Sequence, residues 1–389
     1  MSKRPLFFLY LTVFINMVGF GMVFPLLPFY AQAFNATPFQ IGLLAASFSI
    51  VQFFTSPILG RISDKVGRKP VLVWGLLGGT ISMGIMGLAQ SLPLLFLARA
   101  LHGAVSAAVL PAGRAYIADV TSPKDRVAGM GRVGASFALG FLFGPAFGSF
   151  LVGFGGIHVP FFVAATISAL NAFSVILFLS ESLREKAEKI VIREGLFNVF
   201  NIFKHLKSEP GILFSVLFAW SFGLSNNQVA FPLLMGEKFH LGAAQIGYFF
   251  TAIALVSSSV QGYFLPKIVK FMGEKKTIFA GMSIMGGALL LLPFAPEVLL
   301  VTILFMFMGL GSALNRPTAE GVISRISETG QGTTLGVANS FESLGRVAGP
   351  LLGGVLYGVA HFLPFFVSAS ILWLIAFLTL WSLRIPRTP

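Results

Sequence analysis

From Pro5 to Leu59 the chain carries no Lys, Arg, Asp or Glu. A helix needs about 20 apolar residues to cross a bilayer, so this one stretch holds two crossings before the first charged loop. The opening run, Pro5 to Tyr30, is longer than the 7–15-residue apolar core of a signal peptide, and it reads as a first span. The same rhythm continues to the end of the chain. It places spans at about residues 6–30, 40–60, 71–90, 93–117, 130–153, 159–179, 212–235, 244–266, 277–295, 297–319, 334–357 and 361–383. Only 11% of residues are charged and 56% are hydrophobic, against roughly 25% charged in soluble domains. That excludes a soluble enzyme. The expected fold class is an all-α integral membrane protein, with twelve transmembrane helices in two six-helix pseudo-symmetric halves.

The gaps between spans fix the orientation. Twenty-two of the 27 basic residues fall in alternate gaps and at the two ends, and one, Lys238, falls on the other side. The remaining four, Arg99, Arg114, Arg316 and Arg346, lie within spans. By the positive-inside rule both termini are expected in the cytoplasm of a multi-pass cell-membrane protein. The net charge of +13 therefore marks topology and not a phosphate-tracking groove, and no nucleic-acid partner is expected. The absence of cysteine excludes thiolate metal sites and iron–sulfur clusters. His102, His158, His205, His240 and His361 are scattered, and no metal site is expected.

Residues 181–211 form the one long polar stretch, with eleven charged residues. They divide the chain into an N-terminal six-helix bundle (1–180), a cytoplasmic linker (181–211) and a C-terminal six-helix bundle (212–389). Within the linker, Ile190–Leu206 has apolar residues at helical spacing. It reads as a helix lying in the membrane surface or as a solvated connector helix. The halves also repeat. G-A-S-F-A-L-G-F-L-F-G-P-A-F-G-S (134–149) parallels N-S-F-E-S-L-G-R-V-A-G-P-L-L-G-G (339–354). G-R-I-S-D-K-V-G-R-K-P-V (60–71) has a degraded partner in L-P-K-I-V-K-F-M-G-E-K-K-T (265–277), near the same offset of 205. Parallel repeats of this kind are one of two transporter plans, with substrate held near the midplane between the halves.

Ionisable groups inside spans are costly and mark function by default. Arg99 stands alone in span four. Arg114 and Asp119 follow it, and Asp119 is near enough to the cytoplasm to be solvated or to partner the 60–71 loop. Arg316 and Glu320 are spaced i,i+4, as are Glu342 and Arg346, so each pair shares a helix face. They are either self-neutralising pairs that permit burial, or a site where Glu320 or Glu342 takes a proton or a cationic substrate. Asn16, Phe20, Arg114, Phe137, Trp220, Asn226, Asn227, Gln228, Arg316 and Arg346 are the candidate lining of a substrate cavity.

G-R-I-S-D-K-V-G-R-K-P-V resembles the loop signature of the major facilitator superfamily. L-A-R-A-L-H-G-A-V-S-A-A (97–108) resembles the Arg-containing fourth-span motif of its drug:proton antiporters. The Gly-Pro stretch at 134–149 resembles their fifth-span motif, and G-F-G-M-V-F-P-L-L-P (19–28) their first-span motif. The likeness covers essentially the whole chain and is closest to bacterial multidrug and tetracycline efflux transporters. It implies that Gly60, Asp64, Gly67, Arg68 and Lys69 form a gating loop. It implies a proton-coupling or charge-relay role for Arg99, with Asp119, Glu320 and Glu342 as further candidates. It also implies that Gly134, Gly140, Gly144, Pro145 and Gly148 form a smooth seam against a span of the other half, where the residues alone are equally read as static packing. The chain departs from these relatives at Asn16, Gln228 and Ala313, where acidic residues are usual, so the remaining C-half carboxylates are Glu320 and Glu342.

The expected function is that of a secondary transporter, not an enzyme. It would export drugs or other amphiphiles by proton antiport and alternating access, with no cofactor beyond the proton gradient. No nucleotide-binding loop G-x-x-x-x-G-K-[ST] is present. Four intramembrane arginines against two glutamates leave open an exporter of an anionic or zwitterionic metabolite, and a non-transporting sensor of the same fold is the third reading. The expected partners are a small-molecule substrate, protons and membrane lipid, with the chain acting as a monomer.

Overall fold

The computed structural model describes residues 4–183, 211–326 and 331–383. The connector segment Ile190–Leu206 lies outside them. Twelve membrane-length helical segments are found among the described residues. Four are α3 (Pro38–Val66), α4 (Arg68–Gly87), α7 (Pro123–Gly155) and α8 (Val159–Phe178). Five more are α9 (Gly211–Phe239), α12 (Glu274–Leu291), α13 (Val298–Ile326), α14 (Gln331–Val359) and α15 (Leu363–Ser382). The other three are broken. Span one is α1 (Arg4–Val23) followed by α2 (Leu27–Gln32), and span four is α5 (Leu92–Ser106) followed by α6 (Val109–Val120). Span eight is α10 (Ala243–Ser259), a π-helical turn (Val260–Phe264) and α11 (Leu265–Met272).

The first break has a chemical cause. Pro25 supplies no N–H to the ladder, and Pro28 then sits in the first turn of α2, where that loss is harmless. Proline likewise opens α5, α8, α11 and α15. At 1.5 Å per residue, the 29-residue helices are about 44 Å long and overhang the hydrocarbon at both ends. Trp381 and Phe271 are at least nine-tenths exposed. A water-soluble fold would not leave such side chains bare, whereas lipid accepts them.

The chain forms two compact units. The first is Met1–Ala36, Ser47–Leu196 and Gly242–Thr251; the second is Thr37–Ala46, Phe197–Leu241 and Ala252–Pro389. In the first unit α1 packs on α7 and α8, and α4 packs on α5 and α8. In the second α9 packs on α14 and α15, and α12 packs on α13 and α15. The pairing is the same, so the sequence repeat is a repeat of packing.

Glycine explains how these pairs approach. Helices in lipid gain little from apolar burial and associate through close van der Waals contact, which small residues permit. A Cβ on Gly140 would lie 2.5 Å from the Phe14 carbonyl oxygen, and one on Gly148 would lie 2.5 Å from that of Met22. In the second unit, Gly345 and Gly349 press on the carbonyls of Phe218 and Phe222, at 2.6 and 2.7 Å by the same measure. Two further features recur at an offset of 205. Asn35 and His240 both take positive φ, 56° and 54°. Within the second unit Gly42 packs on Pro350 and Gly354, and within the first Gly247 packs on Pro145 and Ser149.

Candidate functional site

Three clusters of polar side chains stand out, each inside one unit. The first sits at the α3–α4 turn. The sequence reading ends span two near residue 60 and leaves a loop of several residues. Instead α3 runs on to Val66, and the turn is Gly67 alone, at φ 126° and ψ 157°. Gly60 lies inside the helix, in open space. Only glycine adopts the Gly67 conformation readily, and a Cβ there would also strike the Glu181 carboxylate.

Around that turn Arg68 is buried. It donates from Nη1 to Asp64 Oδ1 at 2.5 Å and to Ser63 Oγ at 2.7 Å, and from Nε to Asp119 Oδ2 at 3.1 Å. Ser182 Oγ donates to the same Asp119 oxygen at 2.9 Å. Glu181 accepts from the backbone N–H groups of Arg68 and Lys69, at 2.9 and 3.1 Å, and so caps the positive end of α4. Lys69 Nζ reaches the Ile176 carbonyl at 2.7 Å. Glu181 and Ser182 are missed by a sequence reading that assigns them to the linker. Their one signal is that Glu181 is the first acidic residue after span six.

The second cluster lies on α13 and α14. The two i,i+4 pairs are not separate. Arg316 Nε meets Glu320 Oε1 at 3.1 Å and its Nη2 meets Glu342 Oε2 at 3.3 Å, while Arg346 Nη1 meets Glu342 Oε1 at 2.7 Å. The result is a chain Glu320–Arg316–Glu342–Arg346 that ties two helices together. Its members differ in access. The Glu342 side chain is 4% exposed, against 34%, 37% and 43% for Arg316, Arg346 and Glu320. Arg346 also donates to Ser343 Oγ at 2.8 Å. Arg316 lies 5.2 Å from the Trp220 ring centroid, within reach of a cation–π contact, and the indole N–H donates to Ser312 Oγ at 2.8 Å.

The third cluster is on α5. Arg99 is 3% exposed, and its Nε and Nη1 have no hydrogen-bond partner. Its guanidinium lies 4.4 Å from the Phe48 centroid and 5.8 Å from that of Phe20. One turn on, His102 is 5% exposed with Nδ1 unpartnered. It borders a narrow recess with Asn16, Phe20, Met83 and Ser168. Treating the histidines as scattered misses His102; its signal is the i,i+3 spacing from Arg99.

Other expected residues fall elsewhere. Gly140, Gly144 and Gly148 pack on α1 of their own unit, so of the expected seam these three glycines do not meet a span of the other half, whereas Pro145 does, at Gly247. The contact of the glycines on α1 is backbone on backbone, as close helix packing requires. Gly134 meets nothing within 4 Å. The α7 positions that meet a span of the second half are Pro145 and Ser149, whose Oγ accepts from Gly247 N at 3.0 Å. Asn226 is not a cavity residue. It is buried, and its Nδ2 donates to the Pro364 carbonyl at 2.7 Å and to Ser368 Oγ at 2.6 Å, tying α9 to α15. Phe137 packs against the apolar core of α1, α4 and α6. Asn227 is buried with both side-chain polar atoms unpartnered, Gln228 is half-buried, and Arg114 is exposed on α6.

The α3–α4 turn carries the second unit's architecture with its charges exchanged. Gly273 at φ 78° opens α12 as Gly67 opens α4. Glu274 then pairs with Arg325 at the end of α13, where the first unit pairs Arg68 with Asp119. The three positions are offset by 206.

The model of the Major Facilitator Superfamily matches residues 9–269 and 213–389. The chain is 31% identical over 381 residues to multidrug resistance protein 2 of Bacillus subtilis (strain 168), covering 95% of this chain and 93% of that one. It is 29% identical over 366 residues to the class C tetracycline resistance protein of Escherichia coli, covering 92% and 91%. Among solved structures, the human organic anion transporter MFSD10 (TETRAN) superposes with a TM-score of 0.71 at 22% identity, covering 97% and 99%. The nucleoside transporter NupG gives 0.77 at 15%, covering 97% and 98%. Helix order, repeat and relatives agree: the chain belongs to the major facilitator superfamily and is a multi-pass membrane transporter.

Proposed function

We propose that the chain exports drugs or other amphiphilic small molecules across the cytoplasmic membrane in exchange for protons, by alternating access, as a monomer with both termini in the cytoplasm. The observation that carries this is Glu342, a carboxylate enclosed between two arginines on membrane-spanning helices. If it takes a proton, its hold on both arginines falls together, and the α13–α14 tie loosens. A carrier that loads and releases protons needs such a link between protonation and helix contact. The names of the relatives, multidrug and tetracycline resistance proteins, support export. The Arg68–Asp64–Asp119 cluster supports a gating role for the turn, since a charge-assisted contact can hold one state and break in another.

A second reading has its own support. Arg99 is buried with its Nε and Nη1 unpartnered, which suits an anionic or zwitterionic cargo. The test is pH-gradient uptake into inverted vesicles, with lipophilic cations competing against organic anions, repeated with E320Q and E342Q. Loss of proton coupling in E342Q supports the first reading. If neither change matters while D119N abolishes coupling, the assignment to the second half is wrong.

A further inference from the structure

We infer that His102 is a proton-binding group of the transport cycle, loading and unloading through the recess it shares with Asn16. The inference rests on the proton antiport proposed above and assigns the proton a site in the first half. The sequence narrows the choice. No Asp or Glu occurs from Pro5 to Leu59, from Pro70 to Ala118 or from Gly129 to Ser180, so the spans of this half hold no carboxylate away from their ends, and Asp64 at the end of α3 is committed to Arg68. Asp119 is committed to Arg68 and Ser182. His158 sits at the start of α8, with Nδ1 2.9 Å from the Gly87 carbonyl. His102 is left as the buried imidazole of this half.

Its surroundings fit the task. Nδ1 has no partner, and the recess beside it has room for about one water molecule. Asn16 and Phe20 of α1, Phe48 of α3, Met83 of α4 and Ser168 of α8 surround the ring. Among the described residues facing it, Arg99 is the one charged group. The step balances simply: hydronium gives its proton to Nδ1, leaving water and an imidazolium, and the reverse returns it. An imidazolium beside Arg99, with no carboxylate to offset two like charges, needs water around it. The charged form therefore belongs to a state in which the recess is wet, and the neutral form to a state in which it is closed and dry. Closing the recess expels the proton, and that is the coupling a carrier requires.

The test compares two assays on purified protein in vesicles: ethidium uptake driven by a pH gradient, and ethidium counterflow without one. H102Q is expected to lose gradient-driven uptake by about tenfold or more while counterflow stays near wild type. H102D restores a titratable group. It is expected to recover gradient-driven uptake, with a pH midpoint measurably different from wild type, because a carboxylate and an imidazole respond oppositely to burial and to Arg99. A purely structural role leaves the midpoint unmoved, so H102D carries the test should H102Q fail to fold. Gradient-driven uptake by H102Q equal to wild type overturns this inference alone. A wild type that moves ethidium in counterflow but ignores the gradient overturns proton antiport, and this inference with it.

Discussion

Replacing Glu342 by Gln should cost far more stability than the same change at Glu320, although both acids pair with Arg316. Glu342 is 4% exposed and holds two guanidiniums, at 2.7 and 3.3 Å. Glu320 is 43% exposed and holds one, at 3.1 Å. Removing one partner of a fully buried ion pair costs about 3–5 kcal/mol. Here both arginines are about one-third exposed, and Arg316 keeps Glu320, so water and the remaining carboxylate recover part of that. A cost of about 2–3 kcal/mol follows for E342Q. E320Q breaks a half-exposed i,i+4 pair, worth about 0.3–0.5 kcal/mol. Thermal melts of purified protein in detergent should show E342Q several degrees below wild type, and E320Q within about one degree. A double-mutant cycle of E342Q with R346Q should give a coupling of about 1–3 kcal/mol. A melt in which E320Q costs as much as E342Q, or in which E342Q is the more stable protein, would refute the reasoning. In either case the buried carboxylate would not be the keystone of the α13–α14 contact.

Three further outcomes follow from the geometry. G349A should destabilise by about 1–3 kcal/mol through overpacking, because its methyl would lie 2.7 Å from the Phe222 carbonyl oxygen. G134A meets open space and should be neutral or slightly stabilising, so equal melts for the two would contradict the packing described. E181Q should weaken the cap on α4 by about 1 kcal/mol, read as faster amide exchange in the first turn of α4, while exchange in α8 stays unchanged. E274R and R325E should each lower the melting temperature, and E274R/R325E together should recover part of the loss, with a coupling of about 0.2–1 kcal/mol for this partly exposed pair; additive losses would show that the two residues do not interact.

The fold was legible in the sequence because a bilayer imposes one rule everywhere: about 20 apolar residues per crossing, with positive charge on one side. That rule does not depend on which helix touches which. The site was legible only where contact is local. The i,i+4 spacing of Glu342 and Arg346 put them on one face, and they do pair. The bridge from Arg316 to Glu342 joins two helices, and no spacing along one helix reveals it. Asn226 shows the opposite failure. A polar residue in a span suggests cargo, yet this amide fastens α9 to α15. The glycines of α7 mark close approach correctly, but the partner they approach is set by packing within the unit.

The two loop sequences 60–71 and 265–277 look like one motif preserved and one decayed. The coordinates give a different account of the second. Gly67 and Gly273 both hold positive φ at the start of a helix, and each is followed by a charged residue that reaches the C-terminal end of the next span. The first unit uses Arg68 with Asp119 and the second uses Glu274 with Arg325. Comparison by residue identity scores every one of these charged positions as a mismatch, because each sign is reversed. Coulomb's law scores them as equal, since exchanging both charges of a pair leaves its attraction unchanged. What repeats is therefore the interaction and the turn that presents it. The loss of Arg68's counterpart is no evidence that the second half has lost its turn contact.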